Sequence, residues 1–283
     1  MNSLSKRKLS ASEFKAEFEL IASQQWLETK YDALEDTLAL CRNAGERQML
    51  INLMHRFTYL QGSEFKHKIQ EIRDIIINKW ELSPDNTFIV ALHNDALADS
   101  AQLVVQALKG SFAELLGWEE KNFINSMPTA AHKIGGDTNL VLVDEFVGTG
   151  HQCKRILKKC AEYLDKKGTK NVNIFLSVVS GMSFSRSEIS NLVESYEATL
   201  WLEKGLSGYL SGDELENAKD CMLRIEKELC VQYQKKNMPS FGQGQSETLY
   251  GYEMGNAPAN VFPIFWWKWL VNQSPRRTLL SRI

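Results

Sequence analysis

What this chain of 283 residues lacks limits what it can be. Its five cysteines, Cys41, Cys153, Cys160, Cys221 and Cys230, are odd in number, and none forms a C-x-x-C pair. A disulfide framework is therefore not expected, and reduced, mainly structural thiols are. The five histidines, His55, His67, His93, His132 and His151, show no metal-ligand spacing, which argues against a structural zinc site. A formal charge of -2 is too small for a protein that coats nucleic acid as a whole. The longest apolar run, Val261 to Trp267, is too short to span a bilayer, and the opening MNSLSKRKLS lacks a secretory apolar stretch. A soluble, cytoplasmic protein with no membrane partner is expected. There is no Gly-Lys-Ser/Thr phosphate loop and no G-x-G-x-x-G, so neither common nucleotide fingerprint applies.

Proline is scarce too, and none occurs before Pro84. The first eighty residues carry helical periodicity, in three stripes: Phe14, Phe18 and Ile21; Met49, Leu50, Leu53, Met54, Phe57 and Leu60; and Phe65, Ile69, Ile72, Ile76 and Trp80. Core packing is the plainer reading of all three, and Ser63 is placed as the N-cap of the third. After Ser83-Pro84-Asp85-Asn86 the period changes. Strands are predicted at Thr87 to Leu92, Leu140 to Val143, Val172 to Val179 and Tyr196 to Leu202. Between the first two lies a helix burying Leu97, Ala101, Val104, Val105 and Leu108. Another buries Ile156, Leu157, Cys160, Ala161 and Leu164 before Gly168. Strands alternating with helices predict a parallel sheet flanked by helices. Two divisions follow: a helical region over residues 1–82 and an α/β domain over residues 83–283. Residues 117–139 read as a mobile loop, and Ser211 with Glu214 as a capping box opening a helix to about Tyr233.

The most informative segment is Leu140 to Gln152, LVLVDEFVGTGHQ. An apolar strand, two adjacent carboxylates and a glycine-threonine loop stand directly before a helix. The strand delivers the loop to the carboxyl edge of a parallel sheet, where ligands gather in open α/β folds. Gly148, Thr149 and Gly150 can then turn backbone N–H groups and a hydroxyl onto a phosphate at the helix start. Carboxylates repel phosphate. Asp144 and Glu145 therefore suit neutral ribose hydroxyls, or a metal ion beside a second phosphate. The alternative is that they cap a helix while the glycines make a turn. The basic run of Lys154, Arg155, Lys158, Lys159, Lys166, Lys167 and Lys170 reads first as a solvated helix face.

This segment resembles the signature of type I phosphoribosyltransferases. The resemblance implies a type I phosphoribosyltransferase-like α/β fold with an α-helical N-terminal region and a C-terminal hood. It implies a ligand, phosphoribosyl pyrophosphate or a related nucleotide, brought with Mg2+. Asp144 and Glu145 would hold ribose hydroxyls and the metal. Val147, Gly148, Thr149, Gly150, His151 and Gln152 would hold the 5′-phosphate. The family's flexible flap would correspond to residues 117–139, where Lys133 and His132 could supply catalytic charge. The loop after the first strand, His93-Asn94-Asp95-Ala96, contains no lysine or arginine, so His93 is its candidate ligand group. Arg186, after the strand ending near Val179, is a further candidate cation.

The C-terminal stretch SETLYGYEMGNAPANVFPIFWWKW, Ser246 to Trp269, adds an aromatic strand, an Asn256-to-Asn260 turn and a Pro263-Ile264-Phe265-Trp266 element. It resembles the end of phosphoribosyltransferase-like effectors of bacterial conflict systems, including antiphage retron operons. Tyr250, Tyr252 and Trp266 could offer a flat surface to a nucleobase, with core or hood packing as the alternative; for Trp267 and Trp269 core packing is the plainer reading. Two functions stand side by side. One is a toxic or defensive effector acting on a phosphorylated ribose, restrained by a reverse transcriptase with its RNA–DNA product. The other is an inactive nucleotide- or nucleic-acid-binding module that assembles such a complex. Either leaves oligomerisation open.

Overall fold

The computed structural model describes residues 10–93, 100–253 and 255–283. Contacts gather the chain into two units, Met1–Gln61 with Glu203–Ile283, and Gly62–Leu202. The division expected at residue 82 falls inside the second of these.

The first unit opens with α1 (Ala11–Ser23), α2 (Tyr31–Leu38) and α3 (Ala44–His55), followed by a short strand, β1 (Thr58–Leu60). A capping box starts α1: the Ser10 side chain accepts the Glu13 amide, and the Glu13 carboxylate accepts the Ser10 N–H at 2.9 Å. The stripe of Phe14, Phe18 and Ile21 reaches the core only through the part-buried Ile21. Phe14 and Phe18 are 63% and 64% exposed, and α1 buries Glu17 and Leu20 instead, because Glu17 pairs with the buried Arg47 of α3. On α3, Leu50, Leu53 and Met54 are buried as expected. The stripe ends there, since the chain leaves the helix at Arg56 and carries Leu60 into β1, a strand that helical periodicity does not predict.

The second unit begins with α4 (Gly62–Asp74) and a π-helical turn over Ile75–Lys79. Ser63 lies inside α4 rather than capping it. Phe65, Ile69, Ile72 and Ile76 are buried, and the half-buried Trp80 donates its indole N–H to Ser195 Oγ at 3.1 Å. Then follow β2 (Thr87–Ala91), α5 (Ser100–Ser111), β3 (Phe123–Ile124), α6 (Met127–Lys133), β4 (Thr138–Val147), α7 (His151–Lys167), β5 (Val172–Met182), α8 (Arg186–Ser190) and β6 (Ser195–Leu202). The expected parallel sheet is present, in the order β3-β2-β4-β5-β6 with every pair parallel. Successive residues of a strand face opposite ways. Leu140 and Leu142 of β4 join Leu176, Val178, Ile156 and Cys160 in one core. Val141 and Val143, equally buried, take the other face, on which α5 packs. Residues 117–139 are not one irregular loop: they hold a 3-10 turn, β3 beside β2, and α6, whose Met127 and Ala130 are buried in the sheet core. Leu97 lies outside the described residues, and Ala161 is exposed.

The chain then returns to the first unit with α9 (Gly212–Glu226), the hairpin of β7 (Gln232–Tyr233) and β8 (Lys236–Asn237), and β9 (Tyr250–Tyr252), which pairs in parallel with β1. Ser211 occupies the N-cap of α9 without a side-chain cap hydrogen bond, so the expected capping box is not formed, and the helix ends at Glu226 instead of near Tyr233. Tyr250, Tyr252 and Trp266 are 0%, 6% and 8% exposed; of the two readings open for them, core packing is the one found. Among the described residues no helix is long and apolar enough to cross a membrane.

Candidate functional site

Relative to the sheet alone, the strand order is 2-1-3-4-5, which puts the reversal of direction between β2 and β4. Crevices at that switch point, outside the carboxyl ends of the strands, are where open α/β sheets bind ligands. Leu92 N–H donates to Val143 O at 2.8 Å and ties the two strand ends together there. The segment singled out by sequence leaves the sheet at this place.

The strand extends further than expected. Asp144 pairs in register with Val178 and Phe146 with Ser180, so the acidic pair lies within β4 rather than after it. Alternation then sends the two side chains apart: Asp144 follows Leu140 and Leu142 toward α7, Glu145 follows Val141 and Val143 to the other face. Both are buried, at 7% and 3% exposure. Asp144 Oδ1 accepts the Ser100 hydroxyl at 3.3 Å and the Glu145 N–H at 2.7 Å. Ser100, the first residue of α5, is a site neighbour that no sequence pattern announced.

Beyond Val147, Gly148 and Gly150 are buried and Thr149 is half-buried. Gly150 is the N-cap of α7 with φ 73°, a left-handed conformation that costs a residue with a side chain dearly. A Cβ there would also stand 2.8 Å from Ile189 Cδ1, so the loop is seated on α8. The Lys154 N–H donates to Gly150 O at 2.8 Å and begins the helical ladder. The His151 N–H meets Thr149 Oγ1 at only 3.5 Å. No side chain caps α7, and its first turn holds no acidic residue. A 17-residue helix thus presents first-turn N–H groups and the positive end of its dipole at the sheet edge. His151 and Gln152 are exposed on that turn.

Charge around the loop comes mainly from α7 and α8. Lys154 forms an ion pair with Glu188, and that hydrogen-bonded ammonium holds the Glu188 carboxyl below its usual range, with His151 adding a smaller pull. The Arg186 guanidinium is exposed at the start of α8 and lies over the Trp201 ring, 4.7 Å from its centroid. Burial pushes the thiol of Cys153, under the loop, up to about 12, with the charge of Asp144 adding to the shift. It is a packed, protonated thiol, and all five cysteines are free.

The remaining candidates divide. His93 is buried at the end of β2, where its carbonyl accepts the Met127 N–H at 3.2 Å; Asn94, Asp95 and Ala96 lie outside the described residues. Lys133 and His132 are elsewhere. They end α6, and the Lys167 ammonium, at the far end of α7, takes the carbonyls of Ala131, His132 and Ile134. At 1.5 Å per residue a helix of this length puts Lys167 roughly 25 Å from the loop. The structure therefore places Lys133 toward the amino edge of the sheet and does not bring it to Asp144. Most of the basic residues of α7 are exposed, as a solvated face requires. Among the described residues no group of three His, Cys, Asp or Glu side chains could hold a metal ion.

A family model described as PRTase-CE matches the chain over residues 42–282. No curated protein matches it.

Proposed function

The chain belongs to the PRTase-CE family, a phosphoribosyltransferase-like family, and from that premise we propose that the crevice at the end of β4 binds the phosphorylated ribose of phosphoribosyl pyrophosphate or a related nucleotide. The observation that carries the reading is the uncapped start of α7 behind the left-handed Gly150. Its N–H groups and the Thr149 hydroxyl suit a 5′-phosphate, and the left-handed turn strains any side chain at Gly150. Asp144 and Glu145 suit the ribose hydroxyls, which a carboxylate can accept. Two carboxylates are too few to cage a magnesium ion but enough for one that keeps waters and ligand oxygens in its shell. When bound, magnesium would neutralise charge on a departing pyrophosphate. The resemblance of the C-terminal segment supports a place in a bacterial conflict system, as a toxic or defensive effector with a reverse transcriptase and its RNA–DNA product as partners.

One observation favours a second reading, binding without turnover. Residues 93–99 read HNDALAD and bring no lysine or arginine to the leaving group, Lys154 is engaged by Glu188, and Lys133 is remote. The two readings separate in one experiment. Calorimetric titration with phosphoribosyl pyrophosphate and magnesium is run beside a pyrophosphate-release assay, on the native protein and on Asp144→Asn with Glu145→Gln. Saturable binding that the double substitution weakens supports the site. Accompanying release of pyrophosphate supports an enzyme, and its absence the binding module. No binding, or binding indifferent to the substitutions, refutes both. The conflict-system role is checked by co-purification with the reverse transcriptase and by phage plating with the double variant.

A further inference from the structure

The first unit contains a pocket of about 600 Å³, within the range of small-molecule sites. Its wall is aromatic: Tyr233 stacks on Trp269 with ring centroids 3.7 Å apart and planes at 19°, and Trp266 lies alongside. Its charged side chains are of one sign. Lys236, Lys268 and Arg282 line it, and no Asp or Glu does. The Lys268 ammonium lies 5.0 Å from the Trp269 ring centroid, and the Arg282 guanidinium 5.2 Å from that of Trp266, so cations and rings form one surface. The hairpin of β7 and β8 sets Tyr233 opposite Lys236 in register. Its two-residue turn places Gln234 and Lys235 at φ 46° and 65°, a conformation the tight hairpin demands even of these non-glycine residues.

We propose that this pocket binds one nucleotide unit, its base against the Tyr233 and Trp269 wall and its phosphate among Lys236, Lys268 and Arg282. An aromatic wall offers every base a stacking face, and three cationic side chains with no Asp or Glu among them favour an anion. A purely apolar ligand would leave the cations unused, and free phosphate would leave the rings unused. The site lies wholly within residues 203–283 and owes nothing to the loop at Gly148 to Gly150.

The test uses the full chain carrying Asp144→Asn and Glu145→Gln, so that failure of the ribose-phosphate reading and failure of this one stay distinct. Adenosine and uridine monophosphate, a five-nucleotide single-stranded DNA and inorganic phosphate are titrated, followed by calorimetry and tryptophan fluorescence. Quenching and saturable binding by the nucleotides, with phosphate alone far weaker, support the proposal. Tighter binding of the oligonucleotide than of monophosphates identifies a strand as the source; equal binding identifies free nucleotide. Lys236→Glu with Lys268→Glu, both at exposed positions, is expected to weaken binding at least about tenfold and to flatten its salt dependence. Trp269→Leu, which keeps an apolar side chain, should weaken it by about tenfold. The proposal is overturned if neither nucleotide nor oligonucleotide binds, if phosphate binds as well as they do, or if binding survives both sets of substitutions with the thermal midpoint unchanged.

Discussion

The two units bury charge to different ends. In the first, buried charges fasten segments that are distant in the chain. Glu17 pairs with Arg47; Glu46 pairs with Arg224 and accepts the Arg42 amide at 2.7 Å. Glu247 accepts the amides of Leu206 and Ser207 at 2.9 and 2.7 Å, and Arg276 donates to the carbonyls of Trp267 and Ile264. In the second, the buried Asp and Glu side chains among the described residues are Asp144 and Glu145, and both stand beside the glycine loop at the end of one strand. Burying a carboxylate is costly unless something repays it. In the first unit the repayment is cohesion between segments, whereas the proposed function assigns Asp144 and Glu145 to a ligand.

Breaking one partner of a structural pair should produce the largest effect. Arg47→Met leaves the Glu17 carboxylate buried without its counterion, and a loss of about 3–5 kcal/mol is expected in urea unfolding. Adding Glu17→Leu should return most of it. A single-variant loss under about 1 kcal/mol would remove the distinction drawn between the units. Asp144→Asn with Glu145→Gln should behave the other way. These substitutions keep size and hydrogen-bonding atoms, so unfolding free energy should move by less than about 1 kcal/mol. Affinity for phosphoribosyl pyrophosphate should fall at least about tenfold, or ~1.4 kcal/mol. A destabilisation matching that of Arg47→Met would show that the pair serves the fold.

Gly150→Ala tests the loop between them. A left-handed residue with a Cβ costs about 1–2 kcal/mol, and the added methyl also presses on Ile189. Because Ile189 is buried, Ile189→Ala carries a cavity cost of its own, so thermal melts of both single variants and the double are compared: their coupling gives the contact, and the rest of the Gly150→Ala loss gives the backbone cost. The same loop shows why so much of the second unit was legible in sequence. Its information is contiguous: an apolar strand, a glycine that must turn left-handed, an amphipathic helix and a closing Gly168 at φ 67°. The sheet followed from alternation of such pieces. Lys133 was misplaced because nearness along the chain to β4 says nothing about which edge of the sheet a residue reaches. Ser100 and Ile189 were missed because only the fold brings them to the loop. In the first unit, Tyr250 and Tyr252 could be read as surface or as core because their strand partner, Thr58–Leu60, lies far back in a stretch read as helical. The wall of Tyr233 and Trp269 is distributed in the same way.

The smallest effect expected is a pH-dependent one, at Glu226. This carboxylate is buried at the end of α9, where it accepts the Ser240 hydroxyl and the Phe241 amide at 3.0 Å. Burial raises its pKa above the usual 4.5, outweighing those two hydrogen bonds, which pull it down. A carboxyl whose pKa is higher in the folded state than in the unfolded chain favours folding when protonated. That contribution is fully present below pH 4.5 and is lost as pH rises through the folded-state value. At neutral pH Glu226 is thus a net cost of the fold. Glu226→Gln removes the ionisation and keeps a carbonyl for the Phe241 amide. The variant should be more stable than the native protein at pH 7, and the gain should shrink to nothing as pH falls below 4.5, in urea melts taken across that range. Equal stability at both pH values would mean that Ser240 and Phe241 hold the carboxylate as firmly as Arg47 holds Glu17.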